Sequence, residues 1–143
     1  MKPLLLTCLG WLLVAATAHA DTIAPETALA SADAAYAAGQ YAAAAELLET
    51  ALTAHPDCAR CAHLLGKSYG RQAEQAGWFD AMRLARQACA MFERAVALAP
   101  QDRDALEDLM RFYREAPAFL GGGDDKARAI ALRLATLPPP GEP

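Results

Sequence analysis

The sequence predicts an all-α fold of about six helices, paired as three antiparallel hairpins and stacked as a short solenoid. Three observations carry this. After residue 21 alanine dominates and β-branched residues are scarce, which favours helix. No stretch alternates apolar and polar residues with a period of two, so nothing points to strands. Prolines and glycines punctuate the chain at Pro25, Gly39, Pro56, Gly77, Pro100, Pro117, Gly121–Gly123 and Pro138–Pro140, leaving segments of helical length between them.

The first twenty residues stand apart. Lys2 precedes an apolar run from Leu4 to Ala16, and Ala18-His19-Ala20 supplies a small-x-small ending. This is the pattern of a secretory signal peptide, with cleavage expected after Ala20. The run is too short for a comfortable membrane span, which needs about 20 residues. Cys8 lies too early in the run for a lipoprotein site. A periplasmic or secreted protein with no stable span after cleavage is therefore expected.

Helices are expected near residues 26–38, 41–54, 58–76, 79–98, 102–115 and 124–136. They group into units of about 26–56, 57–100 and 101–137 within a repeat domain spanning 21–137. In the first unit Ala44, Leu48 and Ala51 precede Pro56; in the second Ala88, Phe92 and Ala95 precede Pro100, at the same spacing. A small alanine lets two helices approach closely, and a larger Leu48 or Phe92 fills the gap one turn later. Gly66 serves the same purpose on the first helix of unit two. The distance from Pro56 to Pro100 exceeds the usual helical-hairpin repeat of about 34 residues. The extra length falls around Gln72–Asp80, where two extended helices are expected to meet at Gly77. Asp102-Arg103-Asp104 opens the third unit, whose buried side is read as Leu106, Leu109, Met110, Phe112 and Tyr113. Asp124-Asp125 opens the last helix, with Ala127, Ile130, Ala131 and Leu134 as its stripe. The tail Pro138–Pro143 cannot continue a helix and is expected to be disordered.

Three segments, Leu65–Glu74, Phe92–Pro100 and Ala116–Ala127, resemble the "LGxxYGRxAE", "FERAVxLxP" and "APxFLGGGxDKA" motifs of small exported bacterial tetratricopeptide repeat (TPR) proteins. The resemblance covers nearly all of the chain after residue 20. Ala118 and Ala99 depart from the residues usual in that group, without threatening the fold. More distantly, the chain is similar to the repeat domains of microtubule-dynamics regulators. The TPR resemblance implies a right-handed solenoid whose first helix in each hairpin lines a concave face. It implies export, and carries over no biochemical activity.

The chain has 13 Lys+Arg against 17 Asp+Glu, and removal of Lys2 leaves 12 against 17. This acidic balance argues against a general nucleic-acid binder. Beyond residue 20 the only histidines are His55 and His63 and the only serines Ser31 and Ser68, and they form no nucleophile–base–orienter set. No enzyme, cofactor or metal is therefore expected. Gly121–Gly123 lacks the strand and the Gly-Lys-Ser/Thr ending of a phosphate loop, so it is read as a backbone turn.

Two features invite function. Arg60, His63, Lys67 and Arg71 recur at three- and four-residue spacing, so they share a helix face. Arg111 and Arg114 are placed on the corresponding helix of unit three, with Asp33 and Tyr36 bordering from unit one. Such a face could hold a protein or peptide partner, acidic in character. The alternative is a solvated face tied up in pairs such as Arg71 with Glu74 or Glu107 with Arg111. The second feature is Cys58-Ala59-Arg60-Cys61, two thiols close enough to bridge at a helix start. A local disulfide, unpaired or intermolecular thiols, a redox pair, or a zinc site completed by His63 and Cys89 all remain open. Cys89 is read as buried apolar filler. Trp78, Phe79, Phe119 and Leu120 are expected to tuck under neighbouring hairpins.

The leading expectation is a non-enzymatic interaction module using the concave face. One alternative is a redox or metal-handling protein centred on Cys58 and Cys61. The other is a structural subunit that self-assembles into a homo-oligomer through its open ends.

Overall fold

The computed structural model describes residues 24–139, so the expected signal peptide and its cleavage after Ala20 lie outside the described residues, as do residues 140–143 of the tail. Six α-helices are present among the described residues: α1 (Pro25–Ala37), α2 (Tyr41–Ala54), α3 (Ala59–Gln75), α4 (Trp78–Leu98), α5 (Arg103–Glu115) and α6 (Asp124–Thr136). The expected boundaries agree within one residue at every end.

Local chemistry explains where each helix begins and ends. Pro25 occupies the first turn of α1, where its missing N–H costs nothing. Gly39 closes α1 with φ +76°, a left-handed conformation that lets Gln40 donate back to the carbonyl of Ala35 at 2.9 Å. Asp102 caps α5 by accepting the Ala105 N–H at 3.1 Å. After α5 the chain makes one 3-10 turn, Ala118–Leu120, and re-enters helix through Gly121–Gly123. A Cβ on Gly122 would lie 1.7 Å from the carbonyl oxygen of Ala116, so only glycine fits there.

The helices pair as α1–α2, α3–α4 and α5–α6, and the hairpins stack through α2–α3 and α4–α5. The result is a TPR-type all-α solenoid of three antiparallel hairpins. Its core runs along the hairpin seams. Ala44, Ala88 and Ala95 are essentially inaccessible, and Leu48 and Phe92 fill the space beside them. Gly66 faces the Phe92 ring so closely that a Cβ there would lie 2.8 Å from Cδ1. In the third unit Leu106, Leu109 and Tyr113 are buried, while Met110 and Phe112 pack against the core from its edge.

Two equivalent polar ties join successive hairpins. Tyr69 donates to Glu49, and Tyr113 donates to Glu93 at 2.7 Å. Both pairs are separated by 20 residues, and the second repeats the first 44 positions along the chain. Burial, and then the Glu carboxylate that accepts each hydroxyl proton, push both phenols well above the usual tyrosine range.

The middle hairpin differs from its neighbours. α3 and α4 have 17 and 21 residues, whereas α1, α2 and α5 have 13 or 14. The α3–α4 corner therefore projects past them. This overturns the expected packing of Trp78 and Phe79, which are 69 % and 82 % exposed. No neighbouring helix is long enough to cover them. Phe119, in the 3-10 turn, is likewise 56 % exposed, and Leu120 is half-buried. At the other end of the fold, the carbonyl of Pro138 accepts a hydrogen bond from Arg103 at 2.8 Å. No helix of the described residues is long and apolar enough to cross a membrane.

Candidate functional site

The first helices of the three hairpins, α1, α3 and α5, line one side of the stack. A cleft of about 220 Å³ is bounded there by Asp33, Arg60, His63, Lys67, Asp102 and Asp104. A second depression continues from it past Lys67, lined by Tyr36, Arg71, Phe92, Asp108, Arg111 and Phe112, among others. Lys67 belongs to both, so the two form one groove.

The structure brings Arg60, His63, Lys67 and Arg71 together on α3, as their spacing on one helix requires. Arg111 joins them from α5. Arg114 does not. It is exposed on α5 and lines neither depression. The position facing α3 is Asp108 instead. Its Oδ2 lies 2.8 Å from Nε2 of His63, a contact that joins adjacent hairpins at the groove floor. Burial alone would raise the Asp108 carboxyl. The bond and charge of His63, with the charges of Arg111 and Lys67, outweigh it and hold the carboxyl below its usual value.

The cations differ in availability. Arg71 is bound to Glu74, and its guanidinium also reaches the Tyr41 hydroxyl at 3.3 Å. Arg111 pairs with Asp108 at 3.2 Å. The expected Glu107–Arg111 pair is replaced: Glu107 faces Arg103 at 3.9 Å, one turn back on the same face. Lys67 stands over the Tyr36 ring at 5.5 Å, and neither it nor Arg60 has an ion-pair partner within 4.0 Å among the described residues. The face is not a uniform basic stripe. Asp33, Asp102, Asp104, Asp108, Glu74 and Glu115 interleave with the cations. Asp33, Glu74 and Glu115 were expected at this face; Asp102, Asp104 and Asp108 were not, because the relative rotation of α1, α3 and α5 is set by core packing, not by spacing within one helix.

Cys58 and Cys61 are joined by a disulfide at the start of α3. Cys58 is the N-cap, and its Sγ accepts the Cys61 N–H at 3.2 Å. Cys89 is a buried free thiol on α4, and no group of three or more His, Cys, Asp or Glu side chains converges as a metal site among the described residues. It is more than filler, since its Sγ lies 3.7 Å from Oε1 of Glu93 and abuts Gly121. Burial, then the Glu93 charge and hydrogen bond, push its thiol up to about 11.

No family model matches the chain, and no curated protein matches it. Among solved structures, human IFIT1 as a dimer with PPP-AAAA superposes with a TM-score of 0.70 over 80 % of this chain at 26 % identity. A monomeric mutant of IFIT1 with Gppp-AAAA superposes with the same TM-score over the same share at 25 % identity. This chain spans 26 % of the length of IFIT1. The likeness places the fold among TPR-type helical solenoids.

Proposed function

We propose that this chain is a non-enzymatic protein-interaction module that holds a segment of a partner polypeptide in the α1–α3–α5 groove. The observation that carries this reading is the groove itself. It runs across all three hairpins, its floor includes Phe92 and Phe112, and its walls offer Arg60 and Lys67 with no ion-pair partner within 4.0 Å among the described residues. Arg60 and Lys67 suit acidic side chains of the partner, and Asp33 and Asp104 suit basic ones. Apolar side chains of the segment would rest on the aromatic floor.

The groove's carboxylates weigh against a ligand such as the PPP-AAAA or Gppp-AAAA held by IFIT1. Six acidic residues line it, and phosphates in a row would meet them as like charges. Export to the periplasm or beyond is part of the proposal. It is supported by the pattern of residues 1–20 and by a disulfide at Cys58–Cys61, a bond that persists in oxidising compartments.

The test is charge reversal of the two groove cations without an ion-pair partner among the described residues, Arg60→Glu with Lys67→Glu. Partner capture is expected to fall at least tenfold while helix content is unchanged. Undiminished capture by a folded double variant refutes the groove.

A further inference from the structure

We propose that the Cys58–Cys61 disulfide is a thiol–disulfide exchange site, open at Cys58, that reacts with cysteine thiols of a bound polypeptide. The two sulfurs are unequal. Cys61 is 0 % exposed, whereas Cys58 is half-buried and lines an open cavity of about 400 Å³ with Glu26, His55, Asp57 and Arg60. An incoming thiol therefore meets the sulfur of Cys58 and not that of Cys61.

The position of Cys58 suits it to leave and return as a thiolate. It caps a 17-residue helix, so its sulfur faces the positive end of α3 and already accepts the Cys61 N–H. Both features favour the charged form once the disulfide opens. His55, which also lines the cavity, is tied to the site through its carbonyl, which accepts the Cys58 N–H at 3.1 Å.

The exchange balances without an added oxidant. A client thiolate attacks Sγ of Cys58; the Cys58–Cys61 bond breaks as the new S–S bond forms, and Cys61 leaves as a thiolate that takes up a proton. A second client thiolate then attacks the client sulfur of the mixed disulfide, and Cys58 leaves with the electron pair. One client dithiol has lost two electrons and two protons, and one chain now carries two thiols in place of its disulfide. Leu29 and Arg60 line both this cavity and the neighbouring groove, so the exchange site opens where the groove ends. The choice of a polypeptide client rests on the groove reading; the reactivity of Cys58 does not.

The experiment uses glutathione disulfide as the probe, at pH 7, on residues 21–143. Cys61→Ser and Cys58→Ser are compared in a Cys89→Ala background, each checked for native helix content. Mass spectrometry follows mixed-disulfide formation. Cys58 in Cys61→Ser is expected to react at least about tenfold faster than an unstructured cysteine peptide and than Cys61 in Cys58→Ser. A rate for Cys58 equal to or below that of the peptide overturns the proposal and leaves the bond a structural staple. The chain with both cysteines intact gives a check free of those substitutions: mixed one to one with a dithiol peptide, it is expected to lose its disulfide as the peptide gains one, and retention of the disulfide overturns the proposal. Neither readout uses the Arg60→Glu and Lys67→Glu variants or a groove-bound partner, so groove binding and exchange fail or stand separately.

Discussion

Gly66→Ala tests how the middle hairpin is held together, because two effects of opposite sign meet at one atom. Alanine is favoured over glycine in a helix interior by about 1 kcal/mol. The added Cβ would lie 2.8 Å from Cδ1 and 2.9 Å from Cε1 of Phe92, with Cγ at 3.2 Å. The ring cannot swing aside freely. It is buried, with the His63 ring centroid at 6.0 Å and that of Phe112 at 6.2 Å. Overpacking of this kind costs about 1–3 kcal/mol. Gly70, one turn further along α3, is the control, since a Cβ there meets nothing within 4 Å. Gly70→Ala is expected to stabilise by up to about 1 kcal/mol. The helix-propensity gain cancels between the two variants, so their difference isolates the packing cost of about 1–3 kcal/mol. In urea unfolding this separates the midpoints by on the order of 1 M, given slopes of about 1–3 kcal/mol/M. Adding Phe92→Leu to Gly66→Ala should close part of the gap. Equal stability of the two alanine variants would refute the close approach of α3 and α4 through Gly66.

Three further outcomes are expected. Tyr69→Phe and Tyr113→Phe remove equivalent ties to Glu49 and Glu93, and each should cost about 1 kcal/mol in chemical denaturation; a loss confined to one of them would contradict the repeat symmetry. Asp108→Asn should cost about 1–2 kcal/mol at pH 7. Because the Asp108 carboxyl is held below its unfolded value of about 3.9, that advantage is complete above about pH 4 and fades as pH falls through the folded value; a cost that stays constant from pH 6 down to pH 2 would contradict the assignment. With its thiol pushed up to about 11, native Cys89 should react with iodoacetamide at pH 8 at least about a hundredfold more slowly than in urea, where it has an ordinary thiol of about 8.5; equal labelling times would place it at the surface.

The helices were legible because their ends are written locally. Pro25 opens α1, Gly39 and Gly77 stand between helices, Pro100 follows the end of α4, and Asp102 caps α5. The α3 part of the groove was legible for a related reason: Arg60, His63, Lys67 and Arg71 lie on one helix, whose geometry fixes which side chains share a face. What spans two helices was not. Asp108 meets His63 across 45 residues, and nothing in the spacing of α5 alone selects Asp108 over Arg114. Exposure of Trp78 and Phe79 depends on the shorter lengths of neighbouring helices, a property of the assembled stack. The Tyr–Glu ties left a trace that could be found, since both residues recur together 44 positions apart.

Whether the α1–α3–α5 groove holds a partner polypeptide is tested most directly by site-specific photocrosslinking in the cell that makes the protein. One crosslinking residue replaces Lys67 at the centre of the groove, and another replaces Leu47, exposed on α2 outside it. The predicted result is a discrete crosslinked polypeptide from position 67, none from position 47, and loss of the adduct when Arg60→Glu is added. Adducts of equal yield from both positions, or an adduct indifferent to Arg60→Glu, would contradict it.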